Sequence, residues 1–178
     1  MDLTPHKIIN PLSLSEPVGY AHALVVTPGR AVHIGGQTAR RPDGAVVGES
    51  VVQQFDQALA NTVEALRSAG AEPGHVVSMH VYTTAMNSYR VNLRTLGSVY
   101  RRHMGRYYPP MSVVGVTDLL DAAALVEVVC TAVVPDMRDA DTLDDEEAWE
   151  LVEEIDESLV TGPFGRREPA AESERAGP

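Results

Sequence analysis

The chain has one cysteine in 178 residues, so it has no internal disulfide. A lone Cys130 inside an apolar, strand-like run reads as a buried thiol in a reducing compartment. No stretch approaches the roughly 18 apolar residues that a membrane helix needs, and no membrane association is expected. The opening "MDLTPHKIINP" has no basic region followed by an apolar run, so no signal peptide is expected and the expected location is cytoplasmic. The six histidines (6, 22, 33, 75, 80 and 103) form no pair at i, i+4 on a helix, which leaves no metal-binding motif. "GGQTARRPDG" lacks phosphate-loop spacing, and no serine sits in a nucleophile elbow. A basic surplus is absent too. The net charge is −11, and the whole of it falls on residues 136–178, with 15 acidic and 4 basic residues. Residues 1–135 carry ten of each. A nucleic-acid partner is therefore not expected, because such a face needs cations to replace phosphate counterions. The arginines at 90, 94, 101, 102 and 106 read as a solvated helix face.

What is present is a regular alternation of apolar patterns. "AHALVVT" (21–27) and "AVHIGG" (31–36) flank Pro28-Gly29 and predict a β-hairpin. Ser50 begins a helix with Gln53 as a capping-box partner. Val52, Phe55, Leu59, Val63 and Leu66 give its apolar stripe, and Gly70 ends it. "HVVSMHVYTT" (75–84) predicts a strand, and residues 88–104 a second helix with Tyr89, Leu93, Leu96, Val99 or Tyr100, and Met104 on one stripe. "MSVVGV" and "ALVEVVCTAVV" predict two closing strands. The order β-β-α-β-α-β-β implies an α+β sandwich, a mixed sheet with two helices on one face. The spacing divides the chain into a body, 1–135, an acidic extension, 136–160, and a tail, 161–178, whose composition predicts disorder. Trp149, Val152, Ile155 and Leu159 predict an amphipathic helix over 142–160.

Polar groups in apolar strands are the candidate site. Tyr20 and His22 open the first strand, Gln37 follows "IGG", and Glu127 interrupts "ALVEVVC". A carboxylate among aliphatic side chains is costly to bury alone, which suits a general acid or base. The alternative is that Glu127 points outward from a half-exposed strand.

Residues 18–134 resemble the Rid family (YjgF/YER057c/UK114), the reactive-intermediate deaminases. "GYAHA" is similar to the family's "PYSxA", "VHIGGQ" to "VFVSGQ", "QFDQALANTVEALRSAGA" to its first helix, "VVSMHVYTTAMNSY" to its central strand and "ALVEVVCTAVV" to its closing strand. The resemblance implies a chorismate-mutase-like fold and a homotrimer that closes three sheets into a barrel, with sites in the intersubunit clefts. It also implies hydrolysis of 2-imino acids without metal or cofactor. Glu127 then falls where the family positions the attacking water. Tyr20 falls on the pocket tyrosine, and Gly35, Gly36 and Gln37 on the pocket turn. His22 and Ser112 are further candidates for substrate contact. Met111 falls where the imino-acid deaminases carry an arginine, in "PPMSVV" against "PARSxV". A thioether cannot grip a carboxylate bidentately, so this chain resembles arginine-lacking branches. Two readings remain open, and the ribonuclease activity also attached to the family is disfavoured by the neutral body and acidic tail. One is a hydrolase acting on an imine, enamine or related C–N bond of a small molecule other than a simple 2-imino acid. The other is a non-catalytic trimer that binds a small molecule or a protein.

Overall fold

The computed structural model describes residues 3–136. These form a four-stranded mixed sheet covered on one face by helices, beside a two-stranded ribbon. The ribbon pairs β1 (Lys7–Ile9) with β2 (Ala23–Val25). The sheet runs β3 (Gly29–Gln37), β6 (Val126–Pro135), β4 (Val76–Thr83), β5 (Met111–Gly115). Only the β4–β5 pair is parallel. The helices are α1 (Val51–Ser68), α2 (Met86–Val91) and α3 (Leu93–Met104). The extension expected over 136–160 and the tail expected over 161–178 lie, beyond Asp136, outside the described residues.

Two expectations are corrected. The residues around Pro28 do not form a hairpin: β2 pairs with β1 and β3 with β6. The Thr27 amide donates to His6 Nδ1 (3.2 Å) and its hydroxyl to the Pro5 carbonyl (2.6 Å), so the N-terminal segment takes up the end of β2. Pro28 then offers no N–H for a continuing ladder. The helix expected over 88–104 is two helices joined at Asn92, whose side-chain amide donates to the Ser88 carbonyl (2.8 Å). The bend keeps Tyr89, Leu96, Val99, Tyr100 and Met104 buried but leaves Leu93 59% exposed.

Local signals account for α1. Ser50 Oγ accepts from the Gln53 amide (3.3 Å), while Gln53 Oε1 accepts from the Glu49 amide (2.9 Å), one residue before the usual capping-box partner. Gly70, at φ +74°, closes the other end. Its amide donates to the Arg67 carbonyl and the Ala71 amide to the Leu66 carbonyl, a Schellman motif. Phe55, Leu59 and Leu66 on the inner stripe are at most 2% exposed, and each contributes roughly 1.5–3 kcal/mol by burial. They meet Val126, Val128, Cys130 and Ala132 of β6 and Met79 and Val81 of β4, alternate residues of the two central strands. The opposite face, with His80, Tyr82, Glu127, Val129 and Thr131, is exposed or half-buried.

Candidate functional site

The strand registers distribute the candidate residues over two faces of one sheet. Glu127 lies opposite Tyr82, and Tyr82 opposite Val114, so these three share the open face. Met111 lies opposite Met79, a fully buried core residue, so it faces the helices. Ser112 is on the open face. Its hydroxyl lies 2.8 Å from His80 Nδ1 across the β4–β5 pair.

On the open face, a register shift between Ile34 and Gln37 places Gly35 and Gly36 in a bulge of β3 against β6. The Glu127 carboxylate occupies the space a side chain at Gly36 would need. A Cβ there would stand 2.5 Å from both Cδ and Oε1. Gly35 has nothing within 4 Å of the same position. Gln37 folds back, donating from Nε2 to the Gly35 carbonyl (3.1 Å), which braces the bulge. Among the described residues no ion pair engages Glu127. The strand carrying it is anchored just upstream. Gln54 of α1, 2% exposed, accepts from the Leu125 amide (2.7 Å) and donates to the Ala123 (2.9 Å) and Gly48 (3.0 Å) carbonyls.

On the helix side, a cavity of about 800 Å³ opens between the N-terminal segment, α2–α3 and β5. Tyr20 and Met111 line it. The Ala21 amide donates to the Pro109 carbonyl (3.2 Å), which pins Tyr20 beside the start of β5. Tyr89, Tyr100, Tyr107 and Tyr108 complete an aromatic wall. Tyr100 and Tyr108 stack with ring centroids 4.9 Å apart. Burial pushes the Tyr89 hydroxyl up to about 12 and raises those of Tyr100 and Tyr107, so all three stay protonated at neutral pH. His22 packs edge-on against Tyr20 (5.3 Å) but is tied to the N-terminal segment: its Nε2 bonds the Ser15 carbonyl (2.8 Å) and its amide bonds Asn10 Oδ1 (3.0 Å). Thus Gly36 and Glu127 come together, Tyr20 and Met111 come together, and the two groups lie on opposite sides of the sheet.

Arg94, Arg101 and Arg106 are exposed, in keeping with the solvated face expected of them, and they also border the cavity. Their sequence signal is a mid-helix glycine, Gly97, between Arg94 and Arg101. Among the described residues no cluster of three His, Cys, Asp or Glu side chains is placed to hold a metal, and no helix is long and apolar enough to cross a membrane.

Comparison with known proteins agrees with this architecture. The family model described as endoribonuclease L-PSP matches residues 13–134. YyfB of Yersinia pestis, a structure of the conserved Rid protein family without assigned function, is 33% identical, with TM-score 0.66 over 72% of this chain and 98% of that one. A candidate endoribonuclease of Thermotoga maritima is 26% identical, with TM-score 0.54 over 76% of this chain and 96% of that one. RidA of an Antarctic Psychrobacter is 23% identical, with TM-score 0.52 over 67% and 92%, a likeness of fold. No curated protein matches.

Proposed function

Because the chain belongs to the Rid (YjgF/UK114, endoribonuclease L-PSP) family, we propose that it is a hydrolase of an imine, enamine or related C–N bond in a small molecule other than a simple 2-imino acid. The observation that carries this reading is the placement of Glu127. Its carboxylate is held by packing against the Gly36 backbone and has no cation to neutralise it among the described residues. It is therefore positioned yet available as a base. In the proposed step Glu127 takes a proton from water as the oxygen adds to the imine carbon. The resulting carbinolamine collapses when the Glu127 carboxylic acid returns its proton to the nitrogen and the hydroxyl proton passes to the Tyr20 oxygen, releasing ammonia or an amine and leaving a carbonyl. The Tyr20 hydroxyl donates to the nitrogen.

The division of the site follows from the same reading. Glu127 and the Tyr20–Met111 cavity lie on opposite sides of one sheet, so a single chain does not complete the site. In the proposed homotrimer, the open sheet face of one protomer meets the cavity of the next. Met111 leaves that cavity without the arginine that would fork onto an α-carboxylate, in keeping with an arginine-lacking branch. The family's ribonuclease description gains no support from charge, since residues 1–135 balance ten acids against ten bases.

The test uses full-length chains and an aliphatic enamine generated in situ, with product carbonyl measured. Glu127→Gln and Tyr20→Phe each lose about 10²-fold in turnover, a general-base magnitude. Refolding the two variants together restores a fraction of activity, because some clefts then combine a native Glu127 with a native Tyr20. Unchanged turnover in Glu127→Gln overturns the catalytic assignment. No recovery on mixing overturns the shared cleft.

A further inference from the structure

Residues 73–117 contain five arginines and no aspartate or glutamate. One of the five, Arg102, is engaged by Asp56 (3.1 Å). Arg94, Arg101 and Arg106 instead line the aromatic cavity, and among the described residues no carboxylate pairs with any of them. Arg94 and Arg101 are seven residues apart on α3 and so share a face. Gly97 lies between them on the cavity wall. A glycine weakens a helix interior; a Cβ at 97 would make only ordinary contact, 3.6 Å, with Arg101 Nη1. Arg101 is partly positioned already, with Nη1 3.5 Å from the Tyr108 hydroxyl and Nη2 3.3 Å from Ser98 Oγ. That leaves three of its five N–H donors for a ligand.

Three like charges at the exposed rim of one partly apolar cavity repel each other, weakly because water and salt screen them, and the protonated tyrosines do not neutralise them. An anion placed among them removes that repulsion and accepts forked hydrogen bonds. The tyrosine wall and Met111 suit a flat or aliphatic body.

We propose that this cavity binds an organic anion whose multiply charged head, a phosphate or paired carboxylates, is held by Arg94, Arg101 and Arg106, with its apolar body against the tyrosines and Met111. The proposal names the substrate class of the reaction above. It rests on that reading in taking the cavity to be half of the substrate site. The recognising charge lies on α3 and just after its end, at Arg106, rather than at the start of β5.

Calorimetric titration of the full chain with phenyl phosphate, phenylmalonate and benzyl alcohol tests this without turnover. Both dianions bind and the alcohol does not, and the tighter of the two identifies the head group. Arg94→Gln, Arg101→Gln and Arg106→Gln each weaken binding by about tenfold. Arg101→Lys, which keeps charge but loses the fork, lies between. Arg90→Gln, a charge outside the cavity, changes the affinity by less than about twofold in 0.15 M salt. Circular dichroism of each variant checks the fold, and the lysine variant carries the comparison if a glutamine variant unfolds. Dianions binding no better than benzyl alcohol, or Arg90→Gln weakening them as much as Arg94→Gln, overturns the proposal. Dianion binding that survives in Glu127→Gln and depends on the three arginines, in a protein that turns over no C–N substrate, upholds the anion site and removes the reaction.

Discussion

The Glu127 carboxylate of β6 fills the place of the missing side chain at Gly36 of β3, with Oε1 2.5 Å from where a Cβ would stand. The obstructing atoms are the end of a flexible side chain, so Gly36→Ala turns the carboxylate aside rather than breaking the sheet. We expect thermal stability to fall by only about 1 kcal/mol, with a loss of turnover close to that of Glu127→Gln. Gly35→Ala, next to open space, leaves both unchanged. Gly29→Ala is the contrasting control: there the added carbon overlaps the Val134 backbone carbonyl, and the expected outcome is a large drop in melting temperature.

On the function proposed above, Met111 excludes substrates that need a guanidinium fork at that position. With 2-iminobutyrate or 2-iminopropionate generated by an amino-acid oxidase, semicarbazide trapping is expected to proceed at the same rate with and without the protein. An α-carboxylate that meets no guanidinium at position 111 forfeits about 1.5–3 kcal/mol of transition-state binding, and the arginines at 94, 101 and 106, assigned to a separate anionic head, do not replace that fork. Rapid clearance of either imine contradicts the role assigned to Met111.

Gln54 joins α1, the loop before it and the entry to β6 through three bonds to backbone groups. Gln54→Leu keeps the volume and leaves the Leu125 amide and two carbonyls without that partner. The expected destabilisation is about 2–4 kcal/mol, read as a lower urea midpoint with unchanged slope. Since Leu125 is two residues from Glu127, turnover falls as well.

Burial pushes the Cys130 thiol from 9.0 up to about 12. The folded chain therefore holds this proton at pH values where the unfolded chain has released it. The associated stability is full below about pH 9 and is lost as pH rises towards 12. Urea midpoints measured from pH 8 to 11 should decline, and less steeply in Cys130→Ala. Thiol labelling by a disulfide reagent at pH 8 should be slow in the native protein and fast in urea.

Much of the fold is legible locally. The alternation in "ALVEVVC" gives β6 its two faces, the stripe through Phe55, Leu59 and Leu66 gives α1 its inner side, and Ser50 and Gly70 bound that helix. These signals are legible because residues two to four apart along the chain determine them. The pairing of β2 with the N-terminal β1 rather than with β3 was not legible, because the bonds from Thr27 to Pro5 and His6 join distant segments. Glu127 and Met111 could be picked out one at a time by residue type and resemblance. Their placement on opposite faces depends on the registers of β6 and β5 against β4. The bulge that brings Gly36 to Glu127 likewise belongs to the β3–β6 pairing, about 90 residues apart in sequence. The three cavity arginines read as a solvated face because helical spacing shows which residues share a side. They are exposed as that spacing implies, and only the packing of the N-terminal segment and β5 against α3 decides that this side also borders a cavity.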